Sequence, residues 1–131
     1  MNDFEFDTLA VRAGTTRSDF GEHSEALYLT SSFCFGSAAE AAARFSGEEP
    51  GMVYARFTNP TVSMMQDRLA ALEGGEACVA TSSGMSAILA LVMGTMKAGE
   101  HIVASAGLFG ATQQLLGNIM ARFGIETTMV P

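Results

Sequence analysis

The stretch Ala77-Cys78-Val79-Ala80-Thr81-Ser82-Ser83-Gly84-Met85-Ser86-Ala87-Ile88 decides the fold of this chain. A short apolar run gives way to small hydroxylated residues and a glycine, and apolar residues then return at helical spacing. This pattern predicts a strand over 76–81, a tight turn, and a helix over 85–96. The first N–H groups of such a helix lack an intrahelical acceptor and lie at the positive end of its dipole, so the turn suits an anion such as phosphate. An ordinary connection with a serine N-cap explains the same residues equally well.

The residues after this helix continue the alternation of strands and helices. The sequence predicts a turn at Lys97–Glu100, a strand at His101–Ala104, a helix over 110–123 and a last strand over 125–130. Short loops between alternating strands and helices indicate an α/β fold with a parallel sheet.

Two loops of this fold are expected at the same edge of the sheet. Loops 81–86 and 105–110 both follow predicted strands, and a parallel sheet binds its ligands at the carboxyl ends of its strands. Phe109 is therefore expected within reach of a ligand at Gly84, where its ring could stack on a flat group. A phenylalanine that packs in the core or anchors its loop is the alternative.

Residues 1–50 differ from the rest because long periodic runs are few and Ser, Thr, Gly and Phe are frequent. We interpret them as an N-terminal arm with one short helix, which opens at the capping box Ser37–Glu40. Six phenylalanines give the arm more apolar surface than a linker needs, which predicts docking on another surface. They are Phe4, Phe6, Phe20, Phe33, Phe35 and Phe45.

Residues 51–131 are interpreted as the beginning of a larger α/β domain. Pro60 opens an amphipathic helix, whose apolar residues recur at helical spacing until Gly74 ends it. The chain of 131 residues is 48% hydrophobic, enough for a sizeable core.

Charge and composition exclude several classes of partner. Fourteen acidic and seven basic side chains give a net charge of -7 without any basic cluster, which argues against nucleic acid and anionic membranes. The acidic N-terminus is unlike a signal peptide and no apolar run has transmembrane length, so we expect a cytoplasmic protein. The distant Cys34 and Cys78 predict buried free thiols rather than a disulfide or a metal site.

Four motifs occur in order along the chain: Tyr54–Thr61 (YARFTNPT), Leu72–Ala77 (LEGGEA), Ser82–Ile88 (SSGMSAI) and Lys97–Val103 (KAGEHIV). Together they resemble consecutive motifs of the Cys/Met metabolism enzymes that depend on pyridoxal phosphate (PLP), the cystathionine synthase and lyase group of fold type I. The resemblance covers nearly the whole chain. It implies that the chain is an N-terminal arm plus the first part of the large PLP-binding domain.

The resemblance implies a role for five residues at the cofactor phosphate. Ser83, Gly84 and Met85 match the turn whose backbone amides hold that phosphate. Tyr54 and Arg56 match a pair that reaches the phosphate bound by a neighbouring subunit, and the tyrosine is also credited with assisting proton transfer. The planar guanidinium of arginine suits phosphate because it donates parallel charge-assisted hydrogen bonds. Without the motif, this pair would be interpreted as surface residues.

Further positions indicate the subgroup of the family to which the chain is most similar. The lysine that binds the cofactor covalently in the family has no match among these residues. Leu27–Phe33 and Leu108–Gly110 resemble the O-succinylhomoserine sulfhydrylases, and Phe109 matches the aromatic residue that stacks on the cofactor ring, a tyrosine in many relatives. The family also needs a lysine that binds the cofactor covalently, much later in its sequence. Lys97 is the only lysine here, and its place at the amino end of a strand predicts a solvated turn residue.

The resemblance implies that the parent protein is a homo-oligomer, a dimer of dimers, that acts in methionine biosynthesis. Its reaction would be γ-replacement on O-succinylhomoserine with a sulfur nucleophile, giving homocysteine. A γ-lyase for methionine or cystathionine, or a γ-synthase, is the alternative within the family. A non-catalytic phosphate-binding or oligomerising fragment is the alternative outside it. An unrelated nucleotide-binding module is disfavoured because G-x-G-x-x-G and G-x-x-x-x-G-K are absent.

Overall fold

The computed structural model describes residues 4–131, which divide into two compact units between Ala80 and Thr81. This division follows the packing of these residues. The assignment of 1–50 to an arm and 51–131 to the large domain stays a prediction. None of the helices in residues 4–131 is both long enough and apolar enough to cross a bilayer.

The first unit contains three helices: α1 (Phe6–Arg12), α2 (Ala38–Ser46) and α3 (Pro60–Glu73). The capping box is confirmed, because the side chain of Ser37 accepts a hydrogen bond from the Glu40 amide at 3.1 Å. Helix α1 was not predicted. It is only seven residues long and buries no side chain completely, so its sequence shows little periodicity.

Helix α3 has the predicted boundaries. Asn59 caps its N-terminus by accepting a hydrogen bond from the Thr61 amide at 2.9 Å, and Pro60 occupies the first helical position. Gly74 ends the helix in the left-handed conformation, with φ of 66°. Met64 is the buried apolar residue of this helix, with 2% of its surface exposed.

The N-terminal segment is fastened to α3 around Arg68. The guanidinium of Arg68 donates to the Ala13 carbonyl at 2.9 Å and to Thr15 Oγ1 at 3.0 Å, and it forms an ion pair with Glu25. Gly14 lies against the helix with φ of 72°, and a Cβ at this position would be 2.5 Å from the Met64 carbonyl oxygen. The close contact therefore requires glycine at position 14.

Replacing Gly14 by alanine is expected to lower the free energy of unfolding of the complete protein by roughly 2–4 kcal/mol, because left-handed strain and overpacking add. Gly21→Ala is the matched control, since Gly21 also has positive φ (64°) but a Cβ there meets nothing within 4 Å. The control is expected to show the strain alone, about 1 kcal/mol. Equal losses in chemical denaturation would contradict the proposed contact with α3.

The second unit contains helix α4 (Gly84–Thr95), strand β1 (His101–Ser105), helix α5 (Gly110–Gln114) and strand β2 (Glu126–Val130). The two strands pair in parallel, from His101 opposite Glu126 to Ser105 opposite Val130, as predicted. The core lies between the strands and helices. Its buried residues are Val92, Ala104, Leu115, Leu116, Met120 and Ile125.

The predicted helix over 110–123 is wrong in its second half. After α5 the chain forms a π-helical turn at Leu115–Ile119 and a 3₁₀ turn at Met120–Phe123, which Gly124 ends at φ of 75°. A π turn aligns residues five apart, so it brings Leu115 and Met120 onto the same buried face. The carbonyl of Leu116 accepts a hydrogen bond from Thr127 Oγ1 at 2.9 Å, which connects the π-helical turn to β2.

Two further predictions are wrong. Residues 76–81 form no strand, because a strand needs a hydrogen-bonded neighbour and residues 4–131 provide none for this segment. The thiols are free, but Cys34 is exposed and Cys78 only half-buried.

The apolar surface of the arm is confirmed for four phenylalanines with 60–96% exposure. They are Phe4, Phe6, Phe20 and Phe45.

Candidate functional site

The turn before α4 is held by its own hydroxyl groups. Ser83 has extended backbone angles (φ -161°, ψ 159°), and its side chain accepts a hydrogen bond from the Ser86 amide at 3.1 Å. The two serine hydroxyls are also bonded to each other, at 2.9 Å. Thr81 Oγ1 donates to the Ser83 carbonyl at 2.8 Å, which fixes the turn from the other side. The turn is therefore preorganised without a ligand.

The amides of Gly84 and Met85 are the free donors of this turn. Neither N–H group has an acceptor among residues 4–131, whereas the next amide, of Ser86, is capped. A Cβ at Gly84 would meet nothing within 4 Å, so the space at the first helical residue is open. Two free amides at the positive end of a 12-residue helix are suited to binding an anion.

The loop before α5 lies beside this turn within the second unit. Thr112 Oγ1, one turn after Phe109, donates to the sulfur of Met85 at 3.7 Å. Gln113 Nε2 holds the loop by donating to the carbonyls of Ala106 and Leu108, at 2.9 and 2.7 Å. The start of α5 therefore contacts the Ser83 turn, whereas the reach of Phe109 to a ligand at Gly84 stays a prediction.

Phe109 stands at the N-cap position of α5 and is 80% exposed. Its ring contributes little to the core of the second unit, so the interpretation of Phe109 as a core residue is not supported. An exposed aromatic ring beside an anion site is suited to stacking on a flat ligand.

Tyr54 and Arg56 belong to the first unit, where they form a cluster with Phe57. The Arg56 guanidinium lies 5.4 Å from the centre of the Tyr54 ring and 5.1 Å from that of Phe57. The two rings are packed edge to face, with their centres 6.1 Å apart. No side-chain hydrogen bond or ion pair involves Arg56 within residues 4–131. Stacking orients the guanidinium and leaves its N–H groups available to an anion.

Lys97 lies at the other end of α4 from the Ser83 turn. Twelve residues at 1.5 Å each make that helix about 18 Å long. The backbone amide of Lys97 donates to the Glu100 carboxylate at 2.7 Å in an exposed turn before β1. The predicted solvated position is confirmed.

Sequence reasoning missed the side chains that join the start of α3 to residues 26–28 of the N-terminal segment. Asn59, which is 7% exposed, and Thr61 bind the backbone of residues 26–28. Asn59 and Thr61 entered the sequence analysis only as part of the Tyr54–Thr61 motif, and their bonds to the arm leave no periodic signal in the sequence.

Comparison with known proteins gives a consistent result. A family described as "Cys/Met metabolism PLP-dependent enzyme" matches residues 7–131. O-succinylhomoserine sulfhydrylase of Pseudomonas aeruginosa is 57% identical over 126 residues, which are 96% of this chain and 31% of the relative. L-methionine gamma-lyase of Fusobacterium nucleatum subsp. polymorphum is 45% identical over 94% of this chain and 31% of its own length. The chain thus spans about a third of these relatives.

Two solved structures share the fold. A putative O-acetylhomoserine (thiol)-lyase from Campylobacter jejuni has a TM-score of 0.90 and 31% identity, and it carries a pyridoxyl-lysine monophosphate at its position 205. The metB protein from Corynebacterium glutamicum has a TM-score of 0.86 and 31% identity. The matches cover 97% and 98% of this chain, and 31% and 32% of those structures. The fold is therefore that of part of a fold type I PLP enzyme.

Proposed function

Because this chain belongs to the family of Cys/Met metabolism PLP-dependent enzymes, we propose that the complete protein catalyses γ-replacement on O-succinylhomoserine with a sulfur nucleophile, giving homocysteine. The observation that carries this proposal is the 57% identity with an O-succinylhomoserine sulfhydrylase. The reaction would serve methionine biosynthesis in the cytoplasm.

The residues of the second unit fit PLP. The free amides of Gly84 and Met85 would bind the phosphate in the space left by the absent side chain of Gly84, and the capped Ser83 would keep them aligned. The exposed ring of Phe109 would stack on the pyridine ring. Bound PLP supplies an electron sink for bond cleavage at the amino-acid substrate. Since Phe109 lacks a phenolic hydroxyl, it would orient the cofactor without moving a proton.

The first unit would serve the active site of another copy. Tyr54 and Arg56 would reach the phosphate bound by a neighbouring subunit, with Tyr54 placed to move a proton at the substrate. A homo-oligomer follows from this assignment, and we propose a dimer of dimers because the family resemblance implies it. The exposed phenylalanines of the arm support it, because such apolar surface is covered on association.

Lys97 is not the covalent cofactor lysine in this proposal. It lies about 18 Å along α4 from the Ser83 turn, whereas a lysine side chain reaches only a fraction of that distance. The 131 residues alone are therefore expected to be inactive. A piece that only binds phosphate or assembles with other copies remains the alternative for the isolated chain.

Methionine γ-lyase activity is the second candidate for the complete protein. The 45% identity with an L-methionine gamma-lyase favours it. The phenylalanine at position 109 argues against it, because lyase chemistry that uses a hydroxyl group at that position is excluded.

We expect the complete protein, supplied with PLP, to consume O-succinylhomoserine only when sulfide is present and to release homocysteine. The same preparation given methionine without a thiol is the control for the second candidate. Release of an α-keto acid from methionine, without sulfide-dependent turnover of O-succinylhomoserine, would replace the sulfhydrylase assignment by the lyase. Absence of both activities would contradict the proposed enzyme.

A further inference from the structure

A short segment of the arm runs alongside the residues that carry Arg56. We define the arm segment as residues 26–32 and the Tyr54 turn as residues 54–58. The Ala55 amide donates to the Ser31 carbonyl at 2.9 Å, and Ser32 and Tyr54 form an antiparallel bridge. The arm segment thus covers one side of the turn by backbone contacts.

The arm segment itself is held by two side chains at the start of α3. Thr61 Oγ1 donates to the Ala26 carbonyl at 3.0 Å and accepts from the Tyr28 amide at 2.9 Å. Asn59 Nδ2 donates to the Tyr28 carbonyl at 3.0 Å, while its Oδ1 caps the helix. The arm segment belongs to no regular strand, so no β-ladder holds it. The side-chain hydrogen bonds of Thr61 and Asn59 hold it instead.

The Tyr54 turn has little else to hold its conformation. The Tyr54 carbonyl accepts from the amides of Phe57 and Thr58, at 2.9 and 3.0 Å, and the side chains of Tyr54, Arg56 and Phe57 are all exposed. If the backbone contacts with the arm segment are lost, the exposed Tyr54 turn samples several orientations instead of one. Binding then costs the free energy of ordering it again.

We infer that Asn59 and Thr61 are positioning residues for phosphate binding. Their side-chain hydrogen bonds to Ala26 and Tyr28, which we call the latch, hold the arm segment in place. The arm segment in turn keeps Tyr54 and Arg56 in the orientation that binds phosphate. This inference rests on the proposed function, in which Arg56 reaches the cofactor phosphate. Neither residue touches the phosphate, and both act through the Ser31–Ala55 contact on Arg56.

The test uses the complete protein with three variants. Thr61→Val keeps the side-chain shape and removes both hydroxyl bonds, whereas Thr61→Ser keeps the hydroxyl and is the matched control. Asn59→Ser removes the bond to the Tyr28 carbonyl but retains an oxygen that caps α3, so it tests the latch while sparing the helix. The dissociation constants of PLP and of pyridoxal, which lacks the phosphate, are measured for each variant.

We expect Thr61→Val and Asn59→Ser to weaken PLP binding about 5- to 20-fold, with less than about a twofold change for pyridoxal, since the loss of one or two hydrogen bonds acts on the phosphate contact alone. Thr61→Ser is expected to bind both as the unchanged protein does. In the cofactor-free protein, hydrogen exchange at the Ala55 amide should accelerate about tenfold in the first two variants. Adding Thr61→Val to Arg56→Ala should cause a smaller further loss of PLP affinity than Thr61→Val causes alone, because only the Tyr54 contact is then left to lose.

Two results separate the inference from the proposed function. If Arg56→Ala binds PLP unchanged, the assignment of Arg56 to the phosphate is wrong. If Arg56→Ala weakens PLP binding but both latch variants keep the ratio of PLP to pyridoxal affinity, the latch is overturned. Equal weakening of PLP and pyridoxal would also overturn it, because that result is expected of a residue needed only for folding.

Discussion

Replacing Arg56 by alanine is expected to weaken PLP binding to the complete protein by about 2–3 kcal/mol, which is roughly 30- to 150-fold, the range for a hydrogen bond to a charged group. The guanidinium is exposed, packs against the rings of Tyr54 and Phe57, and has no carboxylate partner within residues 4–131. Its removal therefore costs the fold little. The loss should appear in a PLP titration and be nearly absent in a titration with pyridoxal.

Arg122→Ala is the matched control for this prediction. Arg122 is also exposed, and its side chain makes no hydrogen bond or ion pair in the part of the chain that the structure describes. The Arg122→Ala substitution removes the same charge from the protein as Arg56→Ala but leaves the proposed phosphate contact in place. If both variants bind PLP more weakly and to the same extent, Arg56 acts only through the net charge. If neither variant changes the affinity for PLP, Arg56 does not contact the phosphate.

Gly84→Pro is expected to weaken PLP binding by at least about 2 kcal/mol, roughly 30-fold, while leaving the helix intact. Proline is favourable at the first helical position, and the extended conformation of Ser83 suits a residue that precedes proline. The substitution removes a single amide hydrogen and places ring atoms where the phosphate would accept it. The effect thus separates anion binding from helix formation.

Ala38→Pro makes the same change at the first residue of α2. Its N-cap, Ser37, has nearly the same backbone angles (φ -155°, ψ 164°) as Ser83. This control should leave both PLP affinity and thermal stability unchanged. If Gly84→Pro binds PLP as tightly as the Ala38→Pro control, the Gly84 amide is not a phosphate donor and the anion site at this turn is refuted.

The sequence predicted those elements that depend on a few neighbouring residues. Pro60 specifies the start of α3 and Gly74 its end, because the fixed φ of proline and the left-handed φ of glycine are properties of the local chain. The Ser83 turn was predicted for the same reason. The parallel pairing of β1 and β2 followed from the helix between them, since a crossover of this kind joins parallel strands.

Predictions failed where a neighbour distant in sequence decides the conformation. Residues 76–81 have the composition of a strand, but a strand forms only when another strand pairs with it. The π turn at Leu115–Ile119 satisfies the packing of Leu115 and Met120 in the core, a demand that no local pattern expresses. Asn59 and Thr61 bond to residues 31 to 35 positions away in the chain, so their role was invisible until the arm was placed.

The sequence by itself determined the caps, the helix ends, the α/β order and the free amides of Gly84 and Met85, because each follows from backbone geometry within a few residues. Only the tertiary structure decided that Asn59 and Thr61 bond to residues 26–28 and that the Thr112 hydroxyl contacts the Met85 sulfur. Those contacts join residues through space. Their free energy depends on packing and exclusion of water, which spacing along the chain does not encode.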